Sequence, residues 1–241
     1  MKRLTVVVLG MLLAAPVMAE EVDRTLDAAS DGRVHISNIA GAVTIDGWSR
    51  DQVQVTGELG RNVEELIFER DGDKVTIKVK VPQKSGRGIE SDLYIQVPQA
   101  SSIDVSTVSA DIEVIKVTGE QSLGTVSGDI DTEGAESDIS AEAVSGDIEV
   151  NGQNKVTNTR ANTVSGDVLL VRVAGIADTE SVSGDVTITD GSFERIDMST
   201  VNGDLIFRSA LQAGGKLTAE TVNGSVDIEF TDDISGRFDI D

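Results

Sequence analysis

Val126-Ser127-Gly128-Asp129-Ile130 is the stretch that decides the fold, because close copies of it begin at Val108, Val126, Val144, Val164, Val182, Val201 and Val222. The steps between them are 18, 18, 20, 18, 19 and 21 residues. A period this regular is the mark of an array of similar short units that bury a core only by stacking.

The residues around each copy give the unit its shape. Leu217, Ala219 and Thr221 share one parity, whereas Val222, Val226, Ile228 and Phe230 share the other. A straight strand would put the two sets on opposite faces, so the phase must switch at the motif, where Gly224 sits. The same switch separates Ile139-Ala141-Ala143 from Ile148-Val150 across Gly146, and Ile196-Met198-Thr200 from Leu205-Phe207 across Gly203. Each unit is therefore two strands joined by a corner. About 19 residues at ~3.3 Å each give a perimeter of roughly 63 Å, which two layers ~10 Å apart divide into sides of roughly 21 Å. That is one flattened coil of a parallel β-helix-like solenoid. Seven such coils make a body about 34 Å long. The expected fold is all-β, a β-solenoid of about seven coils over residues 101–241.

Stacking lines up equivalent residues in ladders. Gly128, Gly146, Gly166, Gly184, Gly203 and Gly224 are expected at the bend. Ser109, Ser127, Ser145, Ser165, Ser183, Asn202 and Asn223 form a polar row. Ile112, Ile130, Ile148, Val168, Val186, Leu205 and Val226 form an aliphatic row in the core, and the motif valines are assigned to the core with them. Asp111, Asp129, Asp147, Asp167, Asp185 and Asp204 form an acidic row. Unit charges ~4.8 Å apart repel by about 0.9 kcal/mol per neighbouring pair even in water, so something must offset the row. The expectation is that each carboxylate accepts backbone N–H groups at its own corner.

N-terminal to the array, Val34/Ile36, Val43/Ile45 and Val53/Val55 alternate as short strands. Phe68 to Val81 reads as a hairpin about Asp71-Gly72, and Leu93, Ile95 and Val97 form another strand closed by Pro98. Gln83 to Gly88 reads as a basic loop, and Glu20 to Asp31 as a polar leader without a clear period. Residues 20–100 thus form a strand region that either caps the solenoid or continues it. Residues 1–19 have a basic start, a short apolar run from Leu4 to Ala15, and Val17 and Ala19 about Met18. They read as a secretory signal peptide cut after Ala19, which implies an exported chain, periplasmic or at the cell surface. No second apolar run follows that could span a bilayer.

Composition narrows the function classes. The net charge is −22, and cleavage removes Lys2 and Arg3 and no acid, leaving −24. Such a surface repels nucleic acid and anionic lipid. Aromatics make up only 3%, so the core is thin and β-branched. No cysteine occurs, which removes thiol nucleophiles, thiolate metal sites and disulfides. The only histidine, His35, lies in an alternating strand and reads as a surface residue, while Trp48 reads as an anchor of the N-terminal strands. Arg160, Arg172, Arg195 and Arg208 are scattered. No catalytic, cofactor-binding or metal-binding residue is assigned and no cofactor is expected. The glycine-rich nonapeptide of calcium-binding rolls is not the pattern here.

The order of signal peptide, Gly41-Ala42-Val43-Thr44-Ile45-Asp46-Gly47-Trp48, charged hairpin, and Ser106-Thr107-Val108-Ser109 leading into the Val-Ser-Gly-Asp-Ile units resembles exported bacterial domains of unknown function described as putative adhesins. The resemblance runs from about Arg33 to Asp241. It implies an adhesin-head-like β-solenoid with no activity or catalytic residue to carry over. The leading expectation is a non-enzymatic scaffold that binds an unidentified envelope component or polymer. Two alternatives stay open: a polysaccharide-active β-helix enzyme using Asp pairs, and a calcium-stiffened structural scaffold.

Overall fold

The computed structural model describes residues 20–83, 87–134, 136–233, 235–237 and 239. Residues 1–19, read from sequence as a signal peptide, and residues 84–86 of the stretch read as a basic loop lie outside them. Among the described residues the regular structure is strand alone, joined by turns, bends and irregular segments.

The array folds as the parity switch requires. Its coils are successive strand pairs: β8 (Ser102–Ser106) with β9 (Ser109–Ile115), β10 (Gln121–Ser127) with β11 (Ile130–Glu133), β12 (Ile139–Ser145) with β13 (Ile148–Asn151), and β14 (Val156–Ser165) with β15 (Val168–Val171). Next, β16 (Ala174–Glu180) is paired with the first half of β17 (Val186–Asn202). The second half of β17 goes with the first half of β18 (Leu205–Asn223), and the rest of β18 with β19 (Val226–Phe230). Like strands pair in parallel with equivalent residues in register, so Ile112, Ile130, Ile148, Val168, Val186, Leu205 and Val226 lie one above another. These seven pairs make six turns of a β-solenoid.

The N-terminal strands join the same two sheets, in an order that differs from the chain order. Strands β2 (Arg33–Ser37) and β3 (Ala40–Trp48) form a coil that pairs in parallel with β8 and β9 on one side. On the other side it pairs with β6 (Lys74–Lys80) and β7 (Glu90–Pro98). The first coil in sequence is thus enclosed between two later ones. Beyond β6 and β7 the direction reverses. Strand β5 (Glu65–Asp71) is antiparallel to β6 through the hairpin at Gly72, and β4 (Gln52–Leu59) is antiparallel to β7. Glu20–Asp27, read from sequence as a leader, is the strand β1, antiparallel to β4. Its only buried apolar side chain is Val22, so no period showed, and Glu20, Glu21, Asp23 and Asp27 make it a charged edge of the kind that resists further strand addition.

Inward side chains fill the space between the sheets with Val, Ile and Leu, most of them less than 3% exposed. Each such burial contributes roughly 1.5–3 kcal/mol. Toward the C-terminus the filling becomes aromatic: Phe193, Phe207 and Phe230 stack with centroids 6.0 and 5.7 Å apart. The aliphatic ladder leaves the core at the last coil, where Val226 is 44% and Ile228 39% exposed, because among the described residues no further coil covers them.

Candidate functional site: parallel rows on one corner

The corner is built from six residues, Thr125-Val126-Ser127-Gly128-Asp129-Ile130 in the second array coil, with the burial order in, out, out, half-buried, out, in. Two successive outward residues accomplish the phase switch. The motif valines therefore do not enter the core, as their apolar character suggested. Val108, Val126, Val144, Val164, Val182 and Val201 are 38–46% exposed, and Val222 on the last coil is 74% exposed. In the strand before the corner, the inward residue is Thr or Ser on most coils. Its buried hydroxyl donates to the carbonyl of the glycine one coil earlier: Thr163 to Gly146, Ser181 to Gly166, Thr200 to Gly184 and Thr221 to Gly203, at 3.0–3.1 Å. A buried carbonyl that must turn away from the strand ladder is satisfied in this way.

The glycines are set by close approach of successive coils. A Cβ on Gly146 would stand 1.9 Å from Gly128 O, and one on Gly166, Gly184, Gly203 or Gly224 would be 1.9–2.1 Å from the carbonyl of the glycine below. A divergent corner, Asn38-Ile39-Ala40-Gly41-Ala42-Val43, precedes the seven recognised from sequence. Gly41 pairs with Ala110 and Val43 with Ile112, while Ser109 N donates to Ile39 O as Ser127 N does to Val108 O. Asn38 replaces the Thr and donates to Ser91 O at 2.9 Å. The Gly-x-Val spacing was visible in the sequence, but without Ser or Asp it did not stand out as a copy.

The acidic row is held between coils. Asp111 Oδ1 accepts the amide of Asp129, and the pattern repeats from Asp129 to Asp147, Asp147 to Asp167, Asp167 to Asp185, Asp185 to Asp204 and Asp204 to Ser225, at 2.7–3.1 Å. The expectation of a bond within each carboxylate's own corner is thus corrected. The geometry that accompanies it is the close approach of successive coils at glycine, which leaves the next coil's amide within 2.7–3.1 Å of each carboxylate. Each carboxylate meets a donor dipole from its neighbour, which offsets part of the repulsion along the row. The row ends at Ser225, whose amide is the last to be accepted. The polar row runs beside it, with Asn223 Nδ2 donating to Asn202 Oδ1 at 3.0 Å.

Other sequence candidates fall elsewhere. His35 Nδ1 lies 3.0 Å from Asp104 Oδ2 on the neighbouring coil, a partly exposed pair across strands β2 and β8. Trp48 donates from Nε1 to Gln52 O at 2.7 Å with the Arg50 guanidinium 4.8 Å from its ring centroid, so it fixes the turn between β3 and β4. Arg160, Arg195 and Arg208 pair with the surface acids Asp178, Asp197 and Asp227, and Arg172 donates to Asn151 Oδ1. A shallow depression of about 220 Å³ spans three coils and is lined by Asp111, Glu113, Asp129 and Asp131 with Ala42, Val43, Thr44 and Ile112. No arginine lines it. Asp131 holds its proton above the ordinary carboxylate range, first because of burial and then because of Glu149, Glu113 and Glu133. Across the same sheet, Asp46 accepts Tyr94 Oη at 2.8 Å and Lys116 Nζ at 3.1 Å, tying three coils together. That bond to a carboxylate is the main reason the Tyr94 phenol is raised. Among the described residues, no helix is long and apolar enough to cross a membrane.

The chain belongs to the Toastrack DUF4097 family, whose model matches residues 32–241. It is similar in fold to a solved putative adhesin from Bacteroides fragilis NCTC 9343, with 13% identity and a TM-score of 0.57 over 87% of this chain and 97% of that one. Looser likenesses are a putative adhesin from Parabacteroides distasonis ATCC 8503 (14% identity, TM-score 0.39, 87% of this chain and 97% of that one) and a putative lipid binding protein from the same organism (9% identity, TM-score 0.33, 88% and 95%). No curated protein matches the chain.

Proposed function

We propose that this member of the Toastrack DUF4097 family is a non-enzymatic interaction scaffold of the bacterial envelope, exported by the segment 1–19 and used through its long repeated surface. One observation carries the reading: an outward Val followed by Ser or Asn recurs on every array coil at a fixed register, with an outward Asp on the first six, so the solenoid presents rows rather than a single convergent pocket. Rows suit binding along an extended partner. Catalysis needs a few groups converging on one reacting atom. The acidic grouping about Asp131 is an open depression on one sheet, and its carboxylates carry like charge without a cationic partner in the lining.

The test is saturable binding of the purified protein to an isolated bacterial envelope fraction, measured by sedimentation across a concentration series. The expected result is a saturable isotherm competed by unlabelled protein. Absence of binding overturns the reading. Turnover of a polysaccharide panel that is abolished by Asp147→Asn would also overturn it.

A further inference from the structure

We infer that the corner itself is a docking strip for a cationic, apolar-edged polypeptide segment, seated with its apolar side chains on the valine row and its lysines or arginines along the aspartate row. The inference rests on the reading of the chain as an interaction scaffold and names the surface and the partner chemistry.

The valine row is a continuous exposed apolar feature. Seven valines, each 38% or more exposed, are stacked one per coil in the register fixed by the flanking Ser/Asn pairs. Half-buried Ile39 extends the row by one coil. Six steps of about 4.8 Å make it about 29 Å long. Isolated surface valines are ordinary, but an unbroken apolar strip of this length marks a contact surface. Stacking covers part of each valine, since Val222 on the last coil is 74% exposed against 38–46% for the other six, and a large share of every one still faces outward. The corner is specified by the inward Thr or Ser, the glycine and the aspartate, and an outward position at a bend accepts polar residues without loss of core.

Charge selects the partner. Three residues beyond each of the first six valines stands an exposed aspartate, whose Oδ1 is occupied by the next coil's amide. The carboxylates therefore form a fixed line of negative charge parallel to the valines, with the small Ser and Asn side chains between. A partner must satisfy both rows at once. An anionic or uncharged segment cannot neutralise the second row, and a purely cationic polymer leaves the first exposed to water. A basic amphipathic helix does both: at 1.5 Å per residue, about 19 residues span the strip, with an apolar stripe flanked by cations. A second copy of this chain, with net charge −22, would set one aspartate row against another.

The probe is a synthetic 19-residue helical peptide with leucines on one face and lysines flanking them, titrated by fluorescence anisotropy against the purified protein. Its controls are a peptide with the same leucines and glutamates in place of lysines, and neutral phosphatidylcholine vesicles. Two variants test the rows separately. V126S/V144S/V164S/V182S removes exposed methyls, and D129N/D147N/D167N/D185N removes charge while keeping an oxygen for each amide; circular dichroism and Tm verify that both fold. The expected result is salt-sensitive binding of the basic peptide, weakened at least about tenfold by either variant, with no binding of the acidic peptide. Equal binding of the basic peptide to wild type and the valine variant overturns the inference, as does binding of vesicles but not peptide. Self-association that the valine variant abolishes, without peptide binding, assigns the strip to a second copy and also overturns it. Envelope binding retained by the valine variant sinks this inference alone, whereas wild-type protein that fails to bind envelope sinks the scaffold reading.

Discussion

Gly146→Ala and Gly124→Ala make the same chemical change at sites one coil apart, and the structure assigns them opposite signs. At Gly146 the new Cβ would lie 1.9 Å from Gly128 O, so the two coils must separate by more than 1 Å to reach ordinary contact. The bonds that join these coils at the corner include Gly128 N to Ser145 O at 3.2 Å, Ile130 N to Asp147 O at 2.9 Å, and Asp147 N to Asp129 Oδ1 at 2.9 Å. At about 1 kcal/mol each their loss costs about 3 kcal/mol, and the lower entropy of the unfolded alanine chain returns roughly 0.4–1. The net expectation is a loss of about 2–3 kcal/mol. At Gly124, in β10, the nearest atom to an added Cβ is Val105 O at 3.8 Å, so alanine fits and stabilises by about 0.5–1 kcal/mol. Urea unfolding followed by circular dichroism measures both. Because coils in a stack are coupled chiefly to their neighbours, Gly146→Ala should also broaden or split the transition. If the two variants have stabilities within about 0.5 kcal/mol of each other, close approach is not what holds glycine at the corner.

Thr200→Val leaves Gly184 O without its buried hydroxyl donor and should destabilise by about 1–3 kcal/mol, read as a lower urea midpoint. Conversely, Ala143 occupies the same ladder between Thr125 and Thr163, so Ala143→Thr supplies a missing hydroxyl and should stabilise by about 0.5–1.5 kcal/mol. Asp147→Ala removes the acceptor of the Asp167 amide and should cost about 1 kcal/mol, while Asp147→Asn keeps an acceptor, relieves repulsion and should be neutral or stabilising at low salt, as thermal melts in 20 mM and about 500 mM salt would show. Asp131 has a folded pKa raised above its unfolded value, so the folded state binds its proton more tightly. Its stabilising contribution is fully present below the unfolded pKa and is lost as pH rises through the folded one. Asp131→Asn should therefore raise Tm at pH 7 and flatten the slope of Tm against pH across the carboxylate range.

The repeat and its parity switch were legible because a stacked fold writes the same local constraint many times. The hairpin at Gly72 was legible because its turn chemistry is local. Stacking order was not, since β2 and β3 accept neighbours on both sides and nothing in either strand says that β6 and β7 take one side and β8 and β9 the other. Residue type alone also misplaced the corner valines. A period-two reading permits one outward residue at a time, whereas a corner turns two outward in succession, and only the burial of Thr125 and Ile130 on either side shows which pair it is. The aspartates were misread for a related reason: a sequence displays contacts within a turn, while the amide each carboxylate accepts lies 18 to 21 residues further on. The same three-dimensional neighbour relation that closes each glycine corner thereby aligns the valines and the carboxylates in rows. The residues that enforce the stack are the inward Thr or Ser, the glycine and the outward aspartate, and the valine stands outward beside them on all seven array coils, partly covered by its neighbours in the stack and most exposed at Val222 on the last coil.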